Sequence, residues 1–149
     1  MFVDCSTYIP GAFEDTRARF LQSPNRWLAH EVEGSLPDNG ALQEVVGLGK
    51  RTRLAKKVFL RAGRAVDSTG SAYLPLRLEA TGPKGLFPEL DADLTIEPAG
   101  SNGTKLTLRG SYRPPLDGFG KVLDRVALHK LAERSLQGLV ERLSLKLSA

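Results

Sequence analysis

Apolar and polar positions alternate strictly in three segments of the second half of the chain. In 72–80, Ala72, Leu74, Leu76, Leu78 and Ala80 fall on one side, while Tyr73, Pro75, Arg77 and Glu79 fall on the other. In 90–97, Leu90, Ala92, Leu94 and Ile96 oppose Asp91, Asp93, Thr95 and Glu97. In 105–113, Leu106, Leu108, Gly110 and Tyr112 oppose Lys105, Thr107, Arg109, Ser111 and Arg113. A period of two with one wet face predicts antiparallel strands that cover a core on one side only. Between them, Asp67-Ser68-Thr69-Gly70, Thr81-Gly82-Pro83-Lys84-Gly85 and Gly100-Ser101-Asn102-Gly103 carry the residues that tight reversals need. These segments predict a meander.

In the first half, residues 2–9, 42–48 and 54–62 read as strands, and 29–36 as a further one that turns at Pro37-Asp38-Asn39-Gly40. Residues 10–28 mix Phe13, Ala18, Phe20, Leu21, Trp27 and Leu28 with charges, and the break at Ser23-Pro24 predicts two short helices. Pro114-Pro115 ends the sheet, because proline cannot donate to a ladder. Asp117 is placed to cap a helix over 119–145. At about 100° per residue, Val122, Val126, His129, Ala132, Leu136, Leu139, Val140, Leu143 and Leu147 share one arc of it, which Lys121, Lys130, Arg134 and Glu141 avoid. A single apolar stripe on so long a helix requires a broad surface to lie on, and the sheet supplies it.

The expected fold is therefore α+β, a single domain over 1–149: a curved antiparallel sheet wrapped around a long C-terminal helix, with two short helices after the first strand. This order resembles the START-like or Bet v 1-like helix-grip superfamily (SRPBCC). The opening strand with Ile9-Pro10-Gly11-Ala12-Phe13 looks like that superfamily's passage into its first helix through a proline. The segment from Gly120 through Val126 and His129 to Arg134 resembles the final helix of its bacterial members. The resemblance implies a cavity between sheet and helix. Its members hold lipids, sterols, polyketides or other apolar molecules there, a minority catalyse cyclisation or dehydration, and others are interaction modules.

Composition narrows the rest. At 149 residues, 41% hydrophobic and 26% charged, the chain can build a core without staples. Its one cysteine, Cys5, excludes an intrachain disulfide and reads as a small buried residue of the first strand. No signal-like start and no run of about 18 apolar residues is present, so a cytoplasmic location is expected. The formal charge is +4, and Lys50, Arg51, Arg53, Lys56, Lys57, Arg61 and Arg64 concentrate it in residues 50–64. That run is either a solvated strand or a contact for an anionic surface. Nucleic acid is not expected, because Phe59 is the only aromatic within it. A homodimer is left open.

No metal, nucleotide or triad motif occurs, so no cofactor and no catalytic residue is assigned. Asp91, Asp93 and Glu97 share a face without a third ligand type and read as a solvated surface. His30 and His129, the two histidines, are too far apart to form a motif. The first expectation is a module that binds an apolar small molecule or lipid. Leu74, Leu76, Leu78, Leu94, Leu106, Leu108 and Tyr112 would form its wall, with Arg125, Val126 and His129 on the helix above. In that reading His129 and Arg125, one turn apart, would receive a carboxylate or phenolate head group. The alternatives are a cyclase or dehydratase with His129 as acid–base, and an interaction domain whose cavity is filled by its own side chains.

Overall fold

The computed structural model describes residues 2–22, 24, 27–28, 58–80, 89–113 and 125–148. Strand β1 (Phe2–Pro10) leads into helix α1 (Phe13–Leu21). Five strands follow: β2 (Val58–Ala62), β3 (Val66–Ser68), β4 (Ser71–Ala80), β5 (Glu89–Pro98) and β6 (Gly103–Arg113). Helix α2 (Arg125–Ser148) ends the described chain. Pro24, Trp27 and Leu28, within the second expected short helix, are helical. The strands expected at 29–36 and 42–48, the cap at Asp117 and the basic residues from Lys50 to Lys57 lie outside the described residues.

Every described strand pair is antiparallel, and the sheet runs β1-β6-β5-β4-β2. The short β3 continues the β2 position along β4, so six strands occupy five places. The meander β4-β5-β6 forms as the alternation predicts, with bounds one or two residues wider. Strand β3 was expected to be part of a turn. It exists because Thr69-Gly70 suffices to reverse the chain, leaving Ser68 opposite Ser71. Gly70 sits at φ 75°, a left-handed conformation that glycine adopts at little cost.

The alternation decides which face is buried. Ala72, Leu74, Leu76, Leu90, Ala92, Leu94, Ile96, Leu106, Leu108 and Tyr112 are all buried, and Val3, Cys5 and Ile9 of β1 extend the same face. Leu136, Leu139, Val140, Leu143 and Leu147 cover it from α2, at the helical spacing that puts them on one stripe. Helix α2 packs chiefly on β1, with β6 next. Gln137 Nε2 donates to the Ser6 carbonyl at 3.0 Å, and Arg19 of α1 donates to the Leu147 carbonyl at 2.7 Å, which satisfies one of the last carbonyls of α2. Among the described residues no helix is long and apolar enough to cross a membrane.

Candidate functional site

The inner face of the sheet is a stack of cross-strand rows, each set by the register. Cys5 faces Leu108, Leu108 faces Leu94, and Leu94 faces Leu74. The next row joins Val3, Gly110, Ala92, Leu76 and Ala62, and beyond it Tyr112 faces Leu90. Of the residues expected in the wall, Leu74, Leu76, Leu94, Leu106, Leu108 and Tyr112 are therefore brought onto one continuous apolar surface. Leu78 is placed by its backbone opposite Leu90, and its side chain lies outside the described part. The same holds for the side chains of Arg125 and Val126, whose backbone belongs to α2.

His129 is placed differently from its position on the helical arc. Its side chain is 39% exposed, and Nε2 lies 3.0 Å from Glu133 Oε1, one turn on. Glu133 in turn lines an open groove of about 520 Å³ between β1 and α2, together with Asp4, Cys5, Arg134, Gln137, Gly138 and Glu141. Helical periodicity places the imidazole within about a third of a turn, and the tilt of α2 onto β1 decides the rest.

Tyr112 is the polar atom inside the wall. The residue is 2% exposed, and among the described residues its hydroxyl has no hydrogen-bond partner. Burial pushes its pKa upward, so the group stays a phenol rather than a phenolate. Trp27 packs against the same apolar cluster, its ring 5.7 Å from that of Phe20, and its buried indole N–H finds no acceptor among the described residues. Buried hydroxyls without partners also occur at Thr104 and Thr107. Thr104 is inward by the same alternation as Leu106, a signal present in the sequence one residue before the expected strand start.

Small inward residues such as Gly110 and Ala92 can leave room for a ligand. Gly110 instead serves a close approach: a Cβ there would overlap the Asp91 carbonyl oxygen and the backbone of Ala92. The small residues let β5 and β6 crowd together, and they do not report an empty volume.

The outer face carries the charges. Arg77 Nη2 reaches Asp91 Oδ2 at 3.0 Å and Arg109 Nη2 reaches Asp4 Oδ2 at 2.7 Å, while Arg113 lies 3.7 Å from Glu89. The hydrogen bond from Arg77 holds the Asp91 carboxyl below the usual carboxylate range. A shallow depression of about 470 Å³ opens among Arg77, Asp91, Asp93, Arg109 and Pro75 on this side. Cross-strand partners account for Asp91, and among the described residues no group of three or more His, Cys, Asp or Glu could hold a metal ion. Cys5 is buried, with Sγ 3.7 Å from the Glu133 carbonyl, and burial raises its pKa away from thiolate chemistry.

No family model and no curated protein matches the sequence. Solved structures match the fold. A hypothetical protein from Helicobacter pylori is 10% identical with a TM-score of 0.53, covering 97% of this chain and 86% of its own. A conserved protein from Geobacillus kaustophilus is 13% identical with a TM-score of 0.49, covering 97% of this chain and 93% of its own. The Zhui aromatase/cyclase from Streptomyces sp. R1128 is 10% identical with a TM-score of 0.33, covering 99% of this chain and 93% of its own. At these identities the likeness is one of fold alone. The fold is α+β and helix-grip-like.

Proposed function

We propose that this domain binds an apolar small molecule or lipid between the inner face of the sheet and the C-terminal helix. The observation that supports this most directly is the Tyr112 hydroxyl, buried in an apolar wall without a partner among the described residues. A polar group left unpaired in such surroundings costs stability, and folded chains keep few of them. One that meets a bound molecule has a reason to persist. In this reading Leu76 and Leu78, beside Tyr112, supply affinity by apolar burial, at about 25 cal/mol per Å², and Tyr112 sets orientation. Val126 would line the helical side, while His129 is turned toward Glu133.

A specific observation favours one other reading, an interaction domain with a filled core. Leu74, Leu94, Leu106 and Leu108, like Val140, Leu143 and Leu147 of α2, are all fully enclosed, so this part of the interface is already packed. Native mass spectrometry of freshly purified protein separates the two, together with titration by the apolar fluorophore diphenylhexatriene. A copurifying apolar mass, or saturable emission that a Leu76→Trp variant abolishes, is the expected result. A clean apo mass with no saturable emission would leave the filled-core reading standing.

A further inference from the structure

The buried polar atoms without partners do not all belong to the same surface. Thr107 alternates with Leu106 and Leu108 and therefore lies on the outer face, whereas Thr104 faces Ile9 at the end of the sheet next to α1. Tyr112 and Trp27 remain, and both belong to the inner apolar cluster. An indole N–H donates and never accepts, and a phenol in apolar surroundings completes itself first by donating its proton. Burial also works against the phenolate, which keeps the O–H proton in place. The unmet demand of this interior is for acceptors.

The charge of the interior matters as much. The buried polar residues among those described are Thr16, Thr104, Thr107 and Ser144, none of them charged. None of these four could balance an anionic head group, and an uncompensated buried charge is far more costly than a carbonyl. The imidazole of His129 already faces Glu133.

We propose that the ligand carries a neutral acceptor oxygen on an apolar body, such as a ketone, ester or amide carbonyl, that accepts the hydrogen bond from Tyr112, and that free acids are excluded. This rests on the binding reading above and names the chemistry of its polar end. It reverses the expectation that His129 and Arg125 receive a carboxylate.

The single tryptophan makes the test direct, since Trp27 emission is quenched by energy transfer to aminonaphthalenes bound nearby. Three probes share one ring system: an acylated aminonaphthalene, which is a neutral aryl ketone; its alkyl counterpart, in which the carbonyl is a methylene; and the corresponding naphthoate. Tyr112→Phe should weaken the ketone by roughly tenfold to a hundredfold, the loss expected for one buried hydrogen bond. It should leave the alkyl probe unchanged, and the naphthoate should bind weakest to the native protein. The infrared carbonyl stretch of the bound ketone should lie at lower frequency in the native protein than in the variant. Because the substitution removes an unpartnered hydroxyl, the urea midpoint of Tyr112→Phe should equal or exceed that of the native chain. Unchanged ketone affinity in the variant, or a naphthoate that binds tighter than the ketone, would overturn the acceptor assignment while alkyl binding preserved the binding reading. So would a lowered urea midpoint, which would show that the hydroxyl has a partner within the chain. Failure of both the ketone and the alkyl probe to bind would remove the binding reading and the inference together.

Discussion

The two ends of the sheet's inner face are built on different plans. Toward α1, the rows Leu106–Ile96–Ala72 and Leu108–Leu94–Leu74 are fully buried in one apolar cluster with Leu136, Leu139, Val140, Leu143 and Leu147 of α2. That end is tied down further, because Arg19 of α1 binds the Leu147 carbonyl and Gln137 binds the Ser6 carbonyl. Toward the other end the rows thin to Ala62, Ala92 and Gly110, and the last buried position of β6 is Tyr112 with its hydroxyl unmet. One end spends its residues on packing. The other gives up packing for a strand contact and a polar atom, which is what a site needs and a core does not. The lesson is that burial alone does not distinguish them: Leu94 and Tyr112 are equally enclosed, and only the satisfaction of polar groups separates core from candidate site.

The contrast can be broken most forcefully at the packed end. Leu143→Ala should cost about 2–5 kcal/mol in urea denaturation, because its neighbours cannot collapse into the cavity left behind. Arg134→Ala, on the exposed side of the same helix, should stay within about 0.5 kcal/mol. Comparable small effects would mean that the α2 stripe is not packed at all. Next in size is Gly110→Ala, which should cost roughly 1–3 kcal/mol through overpacking. Its new Cβ would meet the Asp91 and Ala92 backbone rather than a side chain able to rotate away. A neutral Gly110→Ala would show that β5 and β6 do not crowd there, and would restore the idea of free space in that row.

The smallest effect is electrostatic and sharpens the picture at the sheet's far edge. Arg17 of α1 makes paired hydrogen bonds to the Asp67 carboxylate on β3, and Arg77 does so to Asp91. In each case the arginine hydrogen bond holds the carboxyl below its ordinary range. A carboxyl with a lowered folded-state pKa contributes stability above its unfolded pKa and loses it as pH falls through the lower folded value. Both pairs are solvent-exposed, so the contribution is small and screened by salt. Acid titration followed by amide hydrogen exchange should therefore show β3 and the facing turn of α1 opening below the usual aspartate range, before the leucine rows respond. Asp67→Asn should flatten that dependence. Simultaneous opening of both would mean that β3, α1 and the leucine rows form one cooperative unit.

How much of this was legible beforehand follows from where each signal resides. The strands over 72–80, 90–97 and 105–113 were readable because their alternation is local, and the buried face came with it. Leu136, Leu139, Val140, Leu143 and Leu147 were readable for the same reason at helical period. The α+β class with a terminal helix on the sheet followed from order alone. His129 shows the limit. Its place on the arc is a statement about one helix, whereas its exposure and its partner Glu133 depend on how α2 leans on β1, a contact between residues more than a hundred positions apart.

By itself, then, the sequence determined the periodicities and the turns, because a residue's propensity and the face it takes depend on neighbours within a few positions. It determined Gly70 in its reversal and Cys5 in the first strand. Only the tertiary structure decided that Cys5 pairs with Leu108, that Gly110 marks a close approach, that Asp91 answers Arg77, and that Tyr112 ends buried with no partner for its proton. Each of these is a meeting of groups distant along the chain. Whether a polar atom is satisfied is a property of everything that surrounds it, and that exists only once the sheet and the helix have come together.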